Sequence, residues 1–331
     1  MDLLLHIGTG KTGSTSVQGF MQANADRMAQ QGIMLPNSLG ERNHRNLPAI
    51  VQSGPLTDSY LRMRGIRDPQ DQQAARAAWL DAFRAEIANA QALRCIISAE
   101  HLSFLKPQEI KTLQGILSEM FDRIRVLVYL RDPVDYAVSM YDTAIKTGGT
   151  LIAPRPPERG GETDYEALLK AWCAAFGQDA LTVRLFDRRE LFQGDIIADF
   201  AQVAGIDSTN FTVPETENSS LNLLGQALLT RINRKIPKFD RRGRPNPQRG
   251  QIHRVFERHF GTGPKYVPDA ALLKAYRDCF SGSNEWVRQT FFPDRATLFV
   301  PRDYPPPQTL SASDAELEQI SNLITTLWKR Q

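Results

Sequence analysis

Cysteine is scarce in this sequence: Cys95, Cys173 and Cys279 are the three in 331 residues, far apart and without a CxxC pair. An odd, scattered set offers no disulfide framework and suits a reducing compartment. Histidine is sparse too, with five residues, and no Cys/His cluster has the spacing of a metal cage, so no metal requirement is expected. Excess charge of one sign is lacking: 40 Lys and Arg stand against 37 Asp and Glu, a formal net charge of +3. That balance does not imply a nucleic-acid partner, so an anionic ligand would have to be met by a local cluster. No apolar run reaches the length of a membrane span. The opening Met1-Asp2-Leu3-Leu4-Leu5-His6 lacks the positive flank and longer apolar stretch of a secretory signal. A cytoplasmic protein without an integral membrane segment is expected. Internal repeats and low-complexity tracts are missing as well.

What remains is an ordinary globular composition, 41 % hydrophobic and 23 % charged, on a chain long enough to bury a large core. Short apolar runs alternate with helical periodicity. Leu3 to Ile7 reads as a strand, Ser14 to Gln31 as a helix, and Ile33 to Leu35 as a strand stopped by Pro36. Helices at Asp71–Ala92 and Pro107–Met120 alternate with strands at Arg94–Ser98 and Arg125–Leu130. Pro133 opens a helix reaching Lys146, a position where proline is welcome. Further on come a helix over 164–176, a strand over 181–186 and a helix over 193–204. Helices near 219–235, 248–260, 269–280, 283–291 and 313–330 follow. Repeated βα units predict a P-loop-like three-layer α/β/α fold with a mostly parallel central sheet and a helical C-terminal part. Residues 1–331 read as one domain, with a Gly/Pro/Arg-rich excursion at 147–162. The basic, breaker-rich stretch at 235–249 reads as a linker or as a lid over a polyanion.

The segment His6-Ile7-Gly8-Thr9-Gly10-Lys11-Thr12-Gly13-Ser14-Thr15-Ser16 follows a strand and opens a helix. Backbone N–H groups and a helix N-terminus then surround a concavity suited to phosphate, with a charge from Lys11 and hydroxyls from Ser14 and Thr15. Two familiar patterns overlap it. Gly8, Gly10 and Gly13 match the dinucleotide fingerprint, but the second strand ends in Pro36 instead of an acidic residue. Gly10-Lys11-Thr12 imitates the end of a Walker A loop, yet Leu5 stands where its first glycine belongs. A second anion site suggests itself at Arg131-Asp132-Pro133, where a strand ends. Ser139 lies two turns into the following helix. An arginine fork and a hydroxyl could meet one phosphate there, with Asp132 tethering Arg131 or capping the helix.

This pair of motifs resembles the sulfotransferase superfamily that uses 3'-phosphoadenosine 5'-phosphosulfate (PAPS). Lys11-Thr12-Gly13-Ser14-Thr15 is similar to its 5'-phosphosulfate loop, usually Lys-Ser/Thr-Gly-Thr-Thr. Arg131-Asp132-Pro133 with Ser139 resembles its 3'-phosphate motif. The opening loop, Glu217-Asn218-Ser219-Ser220-Leu221 and Ser283-Asn284 resemble the bacterial carbohydrate-type branch. The resemblance implies a PAPS-dependent transferase in which Lys11 relieves charge on the leaving phosphate. Residues Thr12, Gly13, Ser14 and Thr15 would hold the 5'-phosphate, and Arg131 and Ser139 the 3'-phosphate. PAPS would be the donor and PAP the product.

A general base is wanted beside this donor. Ser98-Ala99-Glu100-His101-Leu102 emerges at a strand end, and the resemblance offers either Glu100 or His101 for the role. His44, in a loop at the same end of the sheet, is a candidate for gripping acceptor hydroxyls, as is Glu100. Arg241 and Arg242, followed by Gly243, loosely resemble the family's basic closing element over the 3'-phosphate. Arg184 is either an anion contact or a buried brace. The acceptor class first in line is a saccharide or lipid-linked glycan. A non-catalytic PAP- or PAPS-binding regulator and a P-loop kinase or NTPase are the alternatives.

Overall fold

Apolar runs too short for helices, each followed by a turn, become five strands. In the computed structural model these are β1 (Asp2–His6), β2 (Ile33–Met34), β3 (Arg94–Ser98), β4 (Arg123–Leu130) and β5 (Leu181–Leu185). The structure describes residues 1–54, 60–61, 64–66, 68–214, 220–240 and 243–329. Those residues hold one sheet of order β2-β3-β1-β4-β5, parallel throughout. Successive side chains alternate between its faces. Leu3, Leu5, Cys95, Ile97, Val126 and Val128 join one core, whereas Leu4, Ile96, Leu127 and Tyr129 join another.

Helices close both faces. The first core is covered by α4 (Pro69–Ala88), α5 (Pro107–Ser118) and α7 (Tyr165–Phe176), through Phe83, Leu113 and Trp172 among others. The second is covered by α1 (Ser14–Ala23) and α8 (Ile196–Ala204), with Val17, Phe20 and Phe200 fully buried. The expected three-layer architecture is therefore present. Strand order also fixes where a ligand belongs. The chain leaves β1 toward β2 and leaves β4 toward β5, in opposite directions along the sheet. Adjacent β1 and β4 therefore form the topological switch point where open α/β sheets open a crevice.

The chain gathers into two compact units. The first holds the sheet and comprises Met1–Arg131, Gly160–Glu215 and Gly282–Phe299. The second, Asp132–Arg159, Thr216–Ser281 and Val300–Gln331, carries helices and no strand of the sheet among its described residues. It contains α6 (Pro133–Lys146), α9 (Leu223–Lys235), α10 (Ile252–Phe260) and α12 (Asp314–Trp328), packed around Ile145, Leu228, Leu229, Ile232 and Phe256.

Several element ends shift by two to four residues from expectation, and three larger departures stand beside them. The helix expected over 14–31 breaks at Asn24, between α1 and α2 (Ala25–Gln30). The Asn24 amide donates to Phe20 O and Thr212 O and its oxygen accepts from Thr212 N, at 2.7–2.8 Å. The two helices expected at 269–280 and 283–291 are one, α11 (Ala270–Phe291). A short helix not anticipated, α3 (Asn46–Val51), packs Leu47 and Val51 into the first core.

The segment 150–162 carries no helix or strand. Within the basic stretch, Phe239 bridges Pro245, Asp240 N donates to Arg244 O, and Arg249 is buried against Asn233 and Ile236 O. Arg241 and Arg242, and likewise Glu217, Asn218 and Ser219, lie outside the described residues.

Candidate active site at the carboxyl end of the sheet

After β1 the backbone must turn sharply to launch α1, and it does so through left-handed conformations. Gly8 (φ 46°) and Gly13 (φ 78°) adopt them freely, but Lys11 (φ 65°) is an L-residue held in the same region. Two hydroxyls hold the loop: Thr9 Oγ1 donates to Tyr129 O and Thr12 Oγ1 to Thr9 O, both at 2.7 Å. Thr12 is buried, so its side chain is spent on the turn and its backbone is what the loop can offer. Gly13, not a hydroxyl residue, occupies the N-cap of α1. Its carbonyl accepts from Ser16 N and Val17 N, and the N–H groups of Ser14 and Thr15 precede these first intrahelical bonds. Such a helix mouth is a ready anion cradle.

Ser14 is therefore the first helical residue and not the cap. Its Oγ donates to Glu100 Oε2 at 2.6 Å, across 86 positions of sequence. Glu100 arrives there because β3 runs beside β1, with Ser98 level with His6, and ends in a 3₁₀ turn, Glu100–Phe104. Gly8 lies so close that a β-carbon there would meet Glu100 Cα and Cβ at 3.3 Å. A second carboxylate, which sequence reasoning missed, belongs to the same environment. Glu162 is exposed as a residue, yet desolvation lifts its carboxyl above the usual range, and the charge of Glu100 adds to the rise. His101 is half-buried, its ring edge-on to Phe104 with centroids 5.7 Å apart.

Arg131 follows β4 on the other side of the switch point. One guanidinium nitrogen donates to Lys11 O at 2.8 Å, tying the two turns together. The guanidinium also lies 5.5 Å from the centroid of the Phe186 ring, and the Tyr165 hydroxyl donates to Arg131 O at 2.7 Å. The guanidinium is a planar fork of N–H donors, a shape that suits an oxyanion. Asp132, the first residue of the second unit, caps α6 by accepting from Val134 N at 2.8 Å and Asp135 N at 3.4 Å. Burial, and after it the charge of Asp135, raises the Asp132 carboxyl above its ordinary range. Ser139 is half-buried on α6, so the two residues of the second motif fall in different units.

Beneath the first motif is a polar cluster around Ser98. His6 Nδ1 pairs with Ser98 Oγ at 2.8 Å, and Gln18 donates to the same oxygen at 3.2 Å. Ser98 N donates to His44 Nδ1 at 2.8 Å, and His44 N donates to Ser98 O. His44 is 2 % exposed and its Nδ1 is committed to the backbone, so that nitrogen is not offered to an acceptor. Desolvation lowers His6 and His44 to about 4 each, so both are neutral at physiological pH. Arg184 proves to be a brace: its Nε donates to the fully buried Asp199 at 3.1 Å, and the Tyr129 hydroxyl donates to the same carboxylate at 2.8 Å.

Within the first unit, then, Lys11, Ser14, Glu100 and Arg131 come together, with Thr15 at the helix mouth. The arrangement can seat an anionic group on N–H and hydroxyl donors with a carboxylate alongside. Among the described residues no helix is long and apolar enough to cross a membrane, and no three His, Cys, Asp or Glu side chains gather as a metal cage.

The sequence matches no established protein-family profile. A protein of Archaeoglobus fulgidus described as uncharacterized is 30 % identical over 148 residues, 43 % of this chain. The chain spans 38 % of that relative's length. Among solved structures, a sulfotransferase from Alicyclobacillus acidocaldarius is similar over 64 % of this chain and 83 % of its own, with a TM-score of 0.38 and 18 % identity.

Proposed function

We propose that this protein is a PAPS-dependent sulfotransferase acting on a hydroxyl or amine acceptor, with a saccharide or glycolipid first in line. The observation that carries the reading is the 2.6 Å contact of Ser14 Oγ with Glu100 Oε2 at the mouth of α1. It sets a carboxylate beside the anion cradle, where the proposed reaction wants a base.

The donor would supply a sulfuryl group whose bond to the 5'-phosphate breaks as a bond to the acceptor oxygen or nitrogen forms. The chain's own residues do the rest. The N–H groups of Ser14 and Thr15 bind the 5'-phosphate, and Lys11 balances the charge that grows on it in the transition state. Arg131 and Ser139, the latter assigned by motif spacing, hold the 3'-phosphate and so fix the donor's register. Glu100 or His101 takes the acceptor's proton. Ser14 has one hydroxyl proton, so it cannot donate to Glu100 and to a phosphate together. Seating the donor turns that proton toward the phosphate and opens Glu100 Oε2 to the acceptor. Arg241 and Arg242 are proposed as a basic closing element on the sequence alone. One sulfotransferase-like domain over 1–331 is part of the same proposal.

Calorimetric titration with PAP, beside ATP with magnesium and NAD, is the first test. The expectation is tight binding of PAP alone, weakened by Arg131→Ala and Ser139→Ala. Lys11→Ala should retain most nucleotide binding while losing sulfate transfer from labelled PAPS. Binding of PAP with no transfer to any acceptor pool would favour a regulator, and magnesium-dependent ATP binding would favour the kinase or NTPase reading. Failure of PAP to bind would end the proposal.

A further inference from the structure

The opposite end of the sheet carries a second concentration of positive charge that the chemistry above does not use. Asp2 at the start of β1 is level with Arg94 on β3 and Arg123 on β4, and Leu4 is level with Arg125. Alternation along a strand puts Asp2 and Leu4, Arg94, and Arg123 and Arg125 on one face of three adjacent strands. There they line a cavity of about 40 Å³ together with Ala204, the last residue of α8.

The three arginines are not equivalent. Arg94 is half-buried, and its Nη1 donates to Ala204 O and Gly205 O at 3.0 Å each. That bond answers the carbonyls left open at the end of α8 and fixes one wall. Arg123 and Arg125 are exposed, and their side chains make no hydrogen bond or ion pair with any described residue. Three arginines therefore line one recess, where Asp2 is the single carboxylate among the lining residues. Like charges gathered this way repel, and a bound anion reverses the sign of that contribution. Guanidinium is planar and offers paired N–H donors matched to phosphate and sulfate oxygens, which three lysines would not supply.

We infer that this recess is a binding site for a tetrahedral oxyanion, phosphate or sulfate in chemistry, held by Arg123 and Arg125 against the wall made by Arg94. The volume suits one such group, since a single water needs roughly 10–15 Å³ of the same space. It leaves no room for a whole nucleotide. The recess lies a full strand from the phosphate loop, roughly 16 Å for five residues, so one oxyanion cannot reach both. The group could be a free ion or the terminal ester of a larger ligand such as a sulfated or phosphorylated sugar.

The test is a titration of ¹⁵N-labelled full-length protein followed by amide chemical shifts. The probes are inorganic sulfate, inorganic phosphate and a monosulfated monosaccharide, at constant ionic strength. Saturable shifts are expected at residues 94–96 and 123–126, unchanged in Arg131→Ala, the variant expected to weaken nucleotide binding at the phosphate loop. Arg123→Gln/Arg125→Gln should weaken binding by about tenfold or more, each lost charged hydrogen bond being a factor of that order. Arg123→Lys/Arg125→Lys should fall between, keeping charge but losing the fork, and far-UV dichroism checks that both fold. A tighter response to the sugar ester identifies the group as part of a larger ligand, and equal response identifies a free ion. Shifts that do not saturate, or that survive unchanged in the double glutamine variant, would overturn the site. Because Arg131→Ala separates the two ends of the sheet, failure here leaves the sulfotransferase reading standing, and the reverse holds too.

Discussion

Lys11 holds a left-handed backbone angle that an L-residue adopts only at some cost, about 1 kcal/mol or more, and it does so inside the loop that would meet the donor. Strain of this kind persists where surrounding contacts fix it, here Thr12 to Thr9 O and Arg131 to Lys11 O. Lys11→Gly and Lys11→Ala both remove the ammonium, but only glycine relieves the angle. Glycine should therefore be the more stable of the two by about 1 kcal/mol, less whatever it gains in unfolded-state freedom. Urea denaturation of the pair measures this, and equal stability would mean the loop relaxes once the lysine is gone. Lys11, Ser14, Thr15 and Arg131 were legible because strand, glycine turn and helix lie together in the sequence. The Ser14–Glu100 contact was not, since it depends on which strand lies beside β1. His44 read as a ligand-facing residue because a loop histidine carries no local sign that its ring will be buried against Ser98.

At the scale of elements, β3 and α6 have the bounds that local pattern predicts, Arg94–Ser98 and Pro133–Lys146. Each has strong local signals, a β-branched apolar run in one and an Asp-Pro start in the other. The misread boundaries have distant partners instead. Asn24 ends α1 through Thr212, far along the chain. At 281–284, Ser-Gly-Ser-Asn reads as a break, yet Ser283 is buried, donates to Asp164 Oδ1 and accepts from Glu166 N, and the helix runs on. The start of α6 also separates two functional readings. Asp132 stands where a nucleotide triphosphatase would want a magnesium ligand, and here its carboxylate accepts from the first turn of the helix. Asp132→Ala should cost about 1 kcal/mol of stability and Asp132→Asn distinctly less, because an amide oxygen still caps. Nucleotide binding should be independent of magnesium in all three proteins. A loss of magnesium-dependent binding in Asp132→Asn, with stability kept, would move the chain to the triphosphatase reading.

For the whole molecule, the end of β3 is held by two buried histidines, and this ties its stability to pH. His6 and His44 meet Ser98 from β1 and from the loop before α3, and each is neutral in the fold with its pKa lowered to about 4 by desolvation. In the unfolded chain both return to about 6.5. Between these values the unfolded state binds more protons than the folded one, so stability is complete above about pH 6.5 and falls as the pH drops toward 4. The loss is on the order of 3 kcal/mol for each histidine at the acid end of that window, a large share of a typical folding free energy. Asn can place an acceptor near the position of Nδ1 without titrating here. His44→Asn should thus lose some stability at pH 7, through poorer packing, but show a shallower decline from pH 6.5 to 4. His6→Asn should do the same at its own contact, and the double variant should be flattest. Carboxylates protonating below pH 5 steepen every curve alike, so the difference in slope between variants and parent isolates the histidines. Urea denaturation at half-unit pH steps gives those slopes. Parallel curves would mean that the acid response arises elsewhere, and that the Ser98 cluster holds β3 by packing alone.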